Sequence, residues 1–158
     1  MVTPSAAAPS PLLAPAAARA ERVLRGGLAA FAVYHLALAA WMAVSPHTFY
    51  VRVGPFGMPN DHYVRDVATY NAAIGVALAI AVSRPAWRVP VLALTTLQFA
   101  LHSVNHLVDI GKSHPAWNGP ADFASLTLAT VALAWLLREA AAAQRPPSSP
   151  PPTPGART

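Results

Sequence analysis

The chain has 158 residues, 54% of them apolar and only 11% charged, with a formal net charge of +5 and no cysteine. Ordinary soluble domains carry roughly 25% charged residues, so this composition excludes a typical water-soluble fold. The missing cysteine excludes disulfides, thiolate metal sites and cysteine nucleophiles. The basic residues flank apolar segments, a pattern that reads as membrane topology and headgroup contact, with no nucleic-acid partner.

Residues 1–18 are rich in alanine, proline and serine, lack an early positive charge, and are expected to form an unstructured N-terminus that is not a cleaved signal peptide. Four apolar windows follow: Gly27–Val44, Val67–Val82, Val89–Ile110 and Phe123–Leu137. Crossing a hydrocarbon core takes roughly 20 helical residues. With flanking turns, the windows predict membrane helices over about 24–44, 66–83, 89–110 and 122–142, inside a domain covering 19–144. None of the 17 prolines interrupts a window interior, and Pro90 sits in a first turn, where its missing N–H costs little. A soluble bundle would carry a charged outer face on each helix, and these windows have almost none. Short connections imply antiparallel neighbours, so the predicted fold is an all-α integral membrane four-helix bundle of up-and-down topology. Residues 145–158, RPPSSPPPTPGART, read as a disordered, polyproline-like tail.

Orientation follows from charge. Arg19, Arg22, Arg25, Arg84, Arg88, Arg138, Arg145 and Arg157 lie on one side of the predicted bilayer, against Arg52, Arg65 and Lys112 on the other. The positive-inside bias then places both termini in the cytoplasm of a multi-pass protein, expected in a bacterial plasma membrane.

The third window carries the chemistry. At 100° per residue, Thr95, Gln98, His102, Asn105, His106 and Asp109 fall in one arc of about 100°, and Leu94, Leu97, Leu101, Val104 and Val108 cover the opposite side. Polar groups at membrane depth should face protein or a wet cavity. His102, His106 and Asp109, spaced H-x3-H-x2-D, offer two imidazoles and a carboxylate to a divalent metal; interhelical hydrogen bonding is the structural alternative. Asp109 sits at a helix C-terminus, where the macrodipole repels an anion, and calls for a compensating charge such as Arg65, Lys112 or a protonated His106. Asp66 and Asp122 open apolar helices and read as N-caps.

The first loop of that side contributes Asn60, Asp61, His62 and Arg65. Asp61 and His62 are assigned as a lid and Arg65 as the electrostatic partner of a pocket completed by Asn71, Gln98 and Asn105, with Tyr34 and Tyr70 beneath. His35 lies about 13 Å from its helix end and His102 about 10 Å from its own, matching depths that bis-imidazole haem ligation would require. A hydrogen bond from His35 to a neighbouring helix is the simpler role. No phosphate loop, Ser/His/Asp order or paired-glutamate di-iron pattern is present.

Two stretches, GPFGMPNDHYVRDVATYN and LQFALHSVNHLVDIG, resemble a group of small four-span membrane proteins of actinobacteria without an assigned activity. That likeness covers roughly residues 25–138. By span number and size the chain is more loosely similar to DoxX-like four-helix membrane proteins. The resemblance implies a four-helix integral membrane fold and carries over no catalytic residue.

The sequence thus supports an outward-facing His/Asp/Arg pocket for a metal or a small redox or quinone-like ligand. It also admits a non-catalytic accessory or assembly subunit, whose third-helix stripe pairs with a membrane-protein partner or a second copy. A proton or solute pathway along the stripe is disfavoured, because Val89–Leu94 contains no ionisable residue.

Overall fold

The computed structural model describes residues 13–55 and 57–145. These form five helices: α1 (Leu13–Val44), α2 (Pro46–Arg52), α3 (Asp61–Ser83), α4 (Pro85–Val108) and α5 (Asn118–Ala143). No strand occurs among the described residues. The four long helices are each long and apolar enough to cross a membrane. The chain is therefore an all-α four-helix membrane bundle. Its 32-residue first helix reaches about 48 Å, well beyond a hydrocarbon core of about 30 Å.

The apolar side of α4 turns outward, with Leu94, Leu97, Leu101, Val104 and Val108 all exposed. In a bilayer that face meets acyl chains without penalty. Leu24, Leu28, Ile74, Leu78, Leu92, Phe99, Leu133 and Leu136 fill the interior between the helices. The helices pair chiefly as α1 with α3 and α4 with α5; α3 joins α4, and the contact between α1 and α5 is the slightest of the four. Close approach of α1 and α3 depends on Gly75, where a Cβ would come within 2.8 Å of the Leu36 side chain and 3.1 Å of its backbone nitrogen.

At the end of the bundle where α1 begins and α5 finishes, Arg88 is drawn into the structure. Its guanidinium donates two hydrogen bonds to Glu21 at 2.8 and 2.7 Å, one to Ala81 O at 3.2 Å and one to Val82 O at 3.3 Å. A helix leaves its last carbonyls without internal partners. Arg88 satisfies two of them on α3 and ties that helix to α1 through a fork-to-fork pair. The Arg88 side chain is only 6% exposed and that of Glu21 45%.

Several boundaries differ from the sequence reading. Residues 13–18 belong to α1 instead of an unstructured N-terminus, because alanine-rich sequence favours the helix once Leu24 and Leu28 anchor it. Residues 1–12 and 146–158, including nearly all of the proline-rich tail, lie outside the described residues. Neither aspartate read as an N-cap is one. Asn60 caps α3 by accepting from Tyr63 N at 3.0 Å, which puts Asp66 more than a turn inside. Asp122 lies within α5, whose first turn is served instead by Ser113, accepting from Gly119 N at 2.7 Å. A side chain at position 119 would collide with Ile110 O, so glycine is required for the loop to fold back there.

Candidate functional site

At the opposite end, near α2, the four long helices part around a cavity of about 300 Å³. His35 projects from α1, Asn71 and Tyr70 from α3, Gln98, His102 and His106 from α4, and Asp122 and Ser125 from α5. Phe49, Val53 and Gly54 cover it from the α2 segment. Leu38, Met42, Val67 and Leu126 make the rest of the wall apolar.

His35 is buried, at 2% exposure, and its ring is held edge-on between Tyr34 and Phe99. Its Nδ1 lies 2.9 Å from Asn71 Oδ1. The amide is oriented by its other end, since Asn71 Nδ2 donates to Val67 O at 3.0 Å. Asn71 Oδ1 can only accept, so the proton of the neutral imidazole sits on Nδ1. Nε2 is then a lone-pair acceptor. It has no hydrogen-bond partner among the described residues.

A second chain of contacts runs along α4. Asp122 Oδ2 is 3.9 Å from His106 Nδ1, His106 Nε2 is 3.0 Å from His102 Nε2, and His102 Nδ1 is 3.4 Å from Gln98 Nε2. One proton assignment fits all three. Gln98 donates to His102 Nδ1, His102 Nε2–H donates to His106 Nε2, and His106 Nδ1–H points to the carboxylate. The i, i+4 spacing brings the two rings to a 4.8 Å centroid separation. Gln98 Oε1 is left buried and, like His35 Nε2, without a partner among the described residues. His35 Nε2 and Gln98 Oε1 therefore face the cavity from α1 and α4 as acceptors without a donor among the described residues. Asp122 Oδ2, 3.9 Å from His106 Nδ1, is a third buried oxygen that accepts no hydrogen bond among them.

The expected residues divide into two sets. Asn71, Gln98, His102 and His106 line the cavity, as do Tyr34, Tyr70 and both histidines named for haem, His35 and His102. Asn105 lies on an adjoining shallow groove with Tyr70, Leu97 and Leu101. Asp61, His62 and Arg65 do not reach the cavity; all three are exposed, and His62, at 87% exposure, stands 3.6 Å from Asp66. The cover comes from α2 and the residues after it, because the chain turns back at Pro46 and runs as a helix across the mouth. Asp109 is drawn to Lys112 at 2.6 Å, which supplies the positive charge its helix-end position demands. Among the described residues no three histidine, aspartate or glutamate side chains converge as a metal-holding group. The carboxylate beside His106 is Asp122, which the sequence reading took for a cap. Pro120 was the available signal: proline favours a helix's first turn, which places Asp122 inside the helix.

In comparisons with known proteins, no family model, curated protein or solved structure matches the chain.

Proposed function

We propose that this membrane protein, placed in a bacterial plasma membrane with both termini cytoplasmic, binds a small hydrogen-bond-donating ligand in the cavity between its helices. One observation carries the reading: His35 Nε2 and Gln98 Oε1, both buried acceptors, border the same cavity and neither has a partner among the described residues. Leaving a buried polar group unsatisfied costs about 1–3 kcal/mol. A ligand bearing two O–H or N–H groups relieves both penalties at once. The space suits a ring, being about twice the ~150 Å³ that holds benzene in an apolar protein cavity. The mostly apolar wall with a few convergent polar atoms is the usual composition of a small-molecule site. The resemblance to actinobacterial four-span proteins and to DoxX-like proteins is compatible with this role and adds no residue to it.

Thermal unfolding of the purified protein with hydroquinone and with its dimethyl ether tests the reading. The two probes share a ring, but only hydroquinone donates. Stabilisation by hydroquinone alone, lost in His35→Leu and in Gln98→Leu, is the expected outcome. Equal effects of both probes, or none, would contradict it.

A metal version rests on the His102–His106 pair. Two zinc–nitrogen bonds of roughly 2.0–2.1 Å at angles from about 90° to tetrahedral put their nitrogens about 2.8–3.4 Å apart. The Nε2 atoms stand 3.0 Å apart. Asp122 would orient His106 from behind, and the remaining ligands would come from the bound molecule or water. Metal bound to wild-type protein and lost in His102→Ala and His106→Ala would favour this version over a purely organic ligand.

A further inference from the structure

The cavity does not end at its own wall. A groove of about 370 Å³ runs along the seam between α1 and α5, lined by Ala30, Phe31, Ala129 and four residues that also border the cavity: Tyr34, Phe99, Ser125 and Leu126. This seam is where the bundle is least closed, since α1 and α5 make the slightest contact of the adjacent helices. Ala30 and Ala129 leave room there because neither has a side chain beyond Cβ. Counting from Val44, Ala30 and Tyr34 lie about 21 and 15 Å from the helix end; counting from Asn118, Ser125 and Ala129 lie about 10 and 16 Å in. The groove therefore opens at hydrocarbon depth, where acyl chains and not water lie outside.

Resting on the ligand-binding reading above, we propose that the occupant is a lipid-borne amphiphile: a ring with two hydroxyl donors in the cavity, and an apolar tail leaving through the α1–α5 seam. The ring end is specified by the unpartnered acceptors His35 Nε2 and Gln98 Oε1. The tail end is specified by the continuity of cavity and groove and by the apolar walls of Phe31, Phe99 and Leu126. Quinols are the chemical class that combines these parts, and their oxidised forms, which only accept, fit the acceptor pair poorly. Entry from the bilayer also avoids the α2 cover, so no opening of the Phe49–Gly54 segment is needed to load the site.

The test compares hydroquinone with a hydroquinone carrying a ten-carbon chain, each titrated against the protein in lipid nanodiscs. Ala30→Phe fills the groove from an exposed position on α1; Ala129→Phe fills it from α5. Binding of the tailed probe is expected to weaken about tenfold or more in either variant, equivalent to about 1.4 kcal/mol, while the untailed probe is unaffected. Equal retention of the tailed probe in both variants overturns the seam proposal and leaves the cavity reading standing. Failure of the untailed probe to bind wild-type protein overturns the cavity reading, and this proposal with it. A dimer in native mass spectrometry that Ala30→Phe disperses, with tailed-probe binding unchanged, assigns the seam to a second copy and also overturns the proposal.

Discussion

The two ends of the bundle treat buried polar groups in opposite ways. At the end where α1 begins, the Arg88 guanidinium makes four hydrogen bonds, and it satisfies helix-end carbonyls while pairing with Glu21. At the α2 end, a larger set of polar side chains surrounds open space and leaves His35 Nε2 and Gln98 Oε1 as acceptors without donors among the described residues. A closed network holds helices together. An open network beside a cavity costs stability and is suited to a ligand that completes it. Polarity at membrane depth is thus no guide to role by itself; the count of satisfied atoms separates the clamp from the site.

Removing the clamp should produce the largest effect. Arg88→Ala leaves Glu21 without its partner and exposes two carbonyls of α3 to unmet demand. A fully buried pair broken this way costs about 3–5 kcal/mol, and the half-exposed Glu21 should bring the loss to about 3 kcal/mol. Chemical denaturation in detergent would measure it, and a loss below about 1 kcal/mol would erase the contrast between the two ends. Next in size is Gly75→Ala, which forces Leu36 to shift and should cost about 1–3 kcal/mol by overpacking. The same denaturation series would show whether α1 and α3 truly depend on that close approach.

The cavity sharpens the comparison through a double substitution. His35→Leu strands Asn71 Oδ1 and should destabilise the protein by about 1–3 kcal/mol. Adding Asn71→Leu removes the stranded acceptor and should recover most of that loss, because the pair then becomes apolar on both sides. No such recovery is expected when Glu21→Leu is added to Arg88→Ala, since the α3 carbonyls stay unmet. Smallest of all is Lys112→Ala. Its pair with Asp109 is solvent-exposed on the lysine side, so the change should stay within about 0.5 kcal/mol by thermal unfolding.

Much of this organisation is legible in the sequence. Four apolar windows of near-membrane length predicted the helices, but the 100° arc on the third matched the inward side of α4 only in part. Thr95 is buried, Gln98 and His106 are half-buried, His102 and Asn105 are exposed, and the buried face is centred on Leu92, Thr95, Phe99 and Ser103. That arc brought Gln98, His102 and His106 to one face because helix geometry alone fixes the register. Three features were missed for identifiable reasons. Arg88 sits beside a span and read as a topological charge, since nothing local reveals that Glu21, 67 positions earlier, meets it. Asp122 reads as a cap when helix starts are judged from short sequence windows, whereas Pro120 in the first turn places it inside α5. The α2 helix hid in a loop, although Ser45 followed by Pro46 is a recognised start signal. Asp61 and His62, assigned as a lid, instead form the exposed first turn of α3 and do not border the cavity, which Phe49, Val53 and Gly54 cover.

The central claim is that His35 carries its proton on Nδ1 and offers a bare Nε2 to the cavity. Nitrogen NMR of histidine-labelled protein in nanodiscs reads this directly. One imidazole locked in the Nδ1–H form, absent from His35→Leu and with an Nε2 signal that moves when hydroquinone is added, is the expected result. An Nε2–H tautomer at His35, or a signal indifferent to the donor, would contradict it.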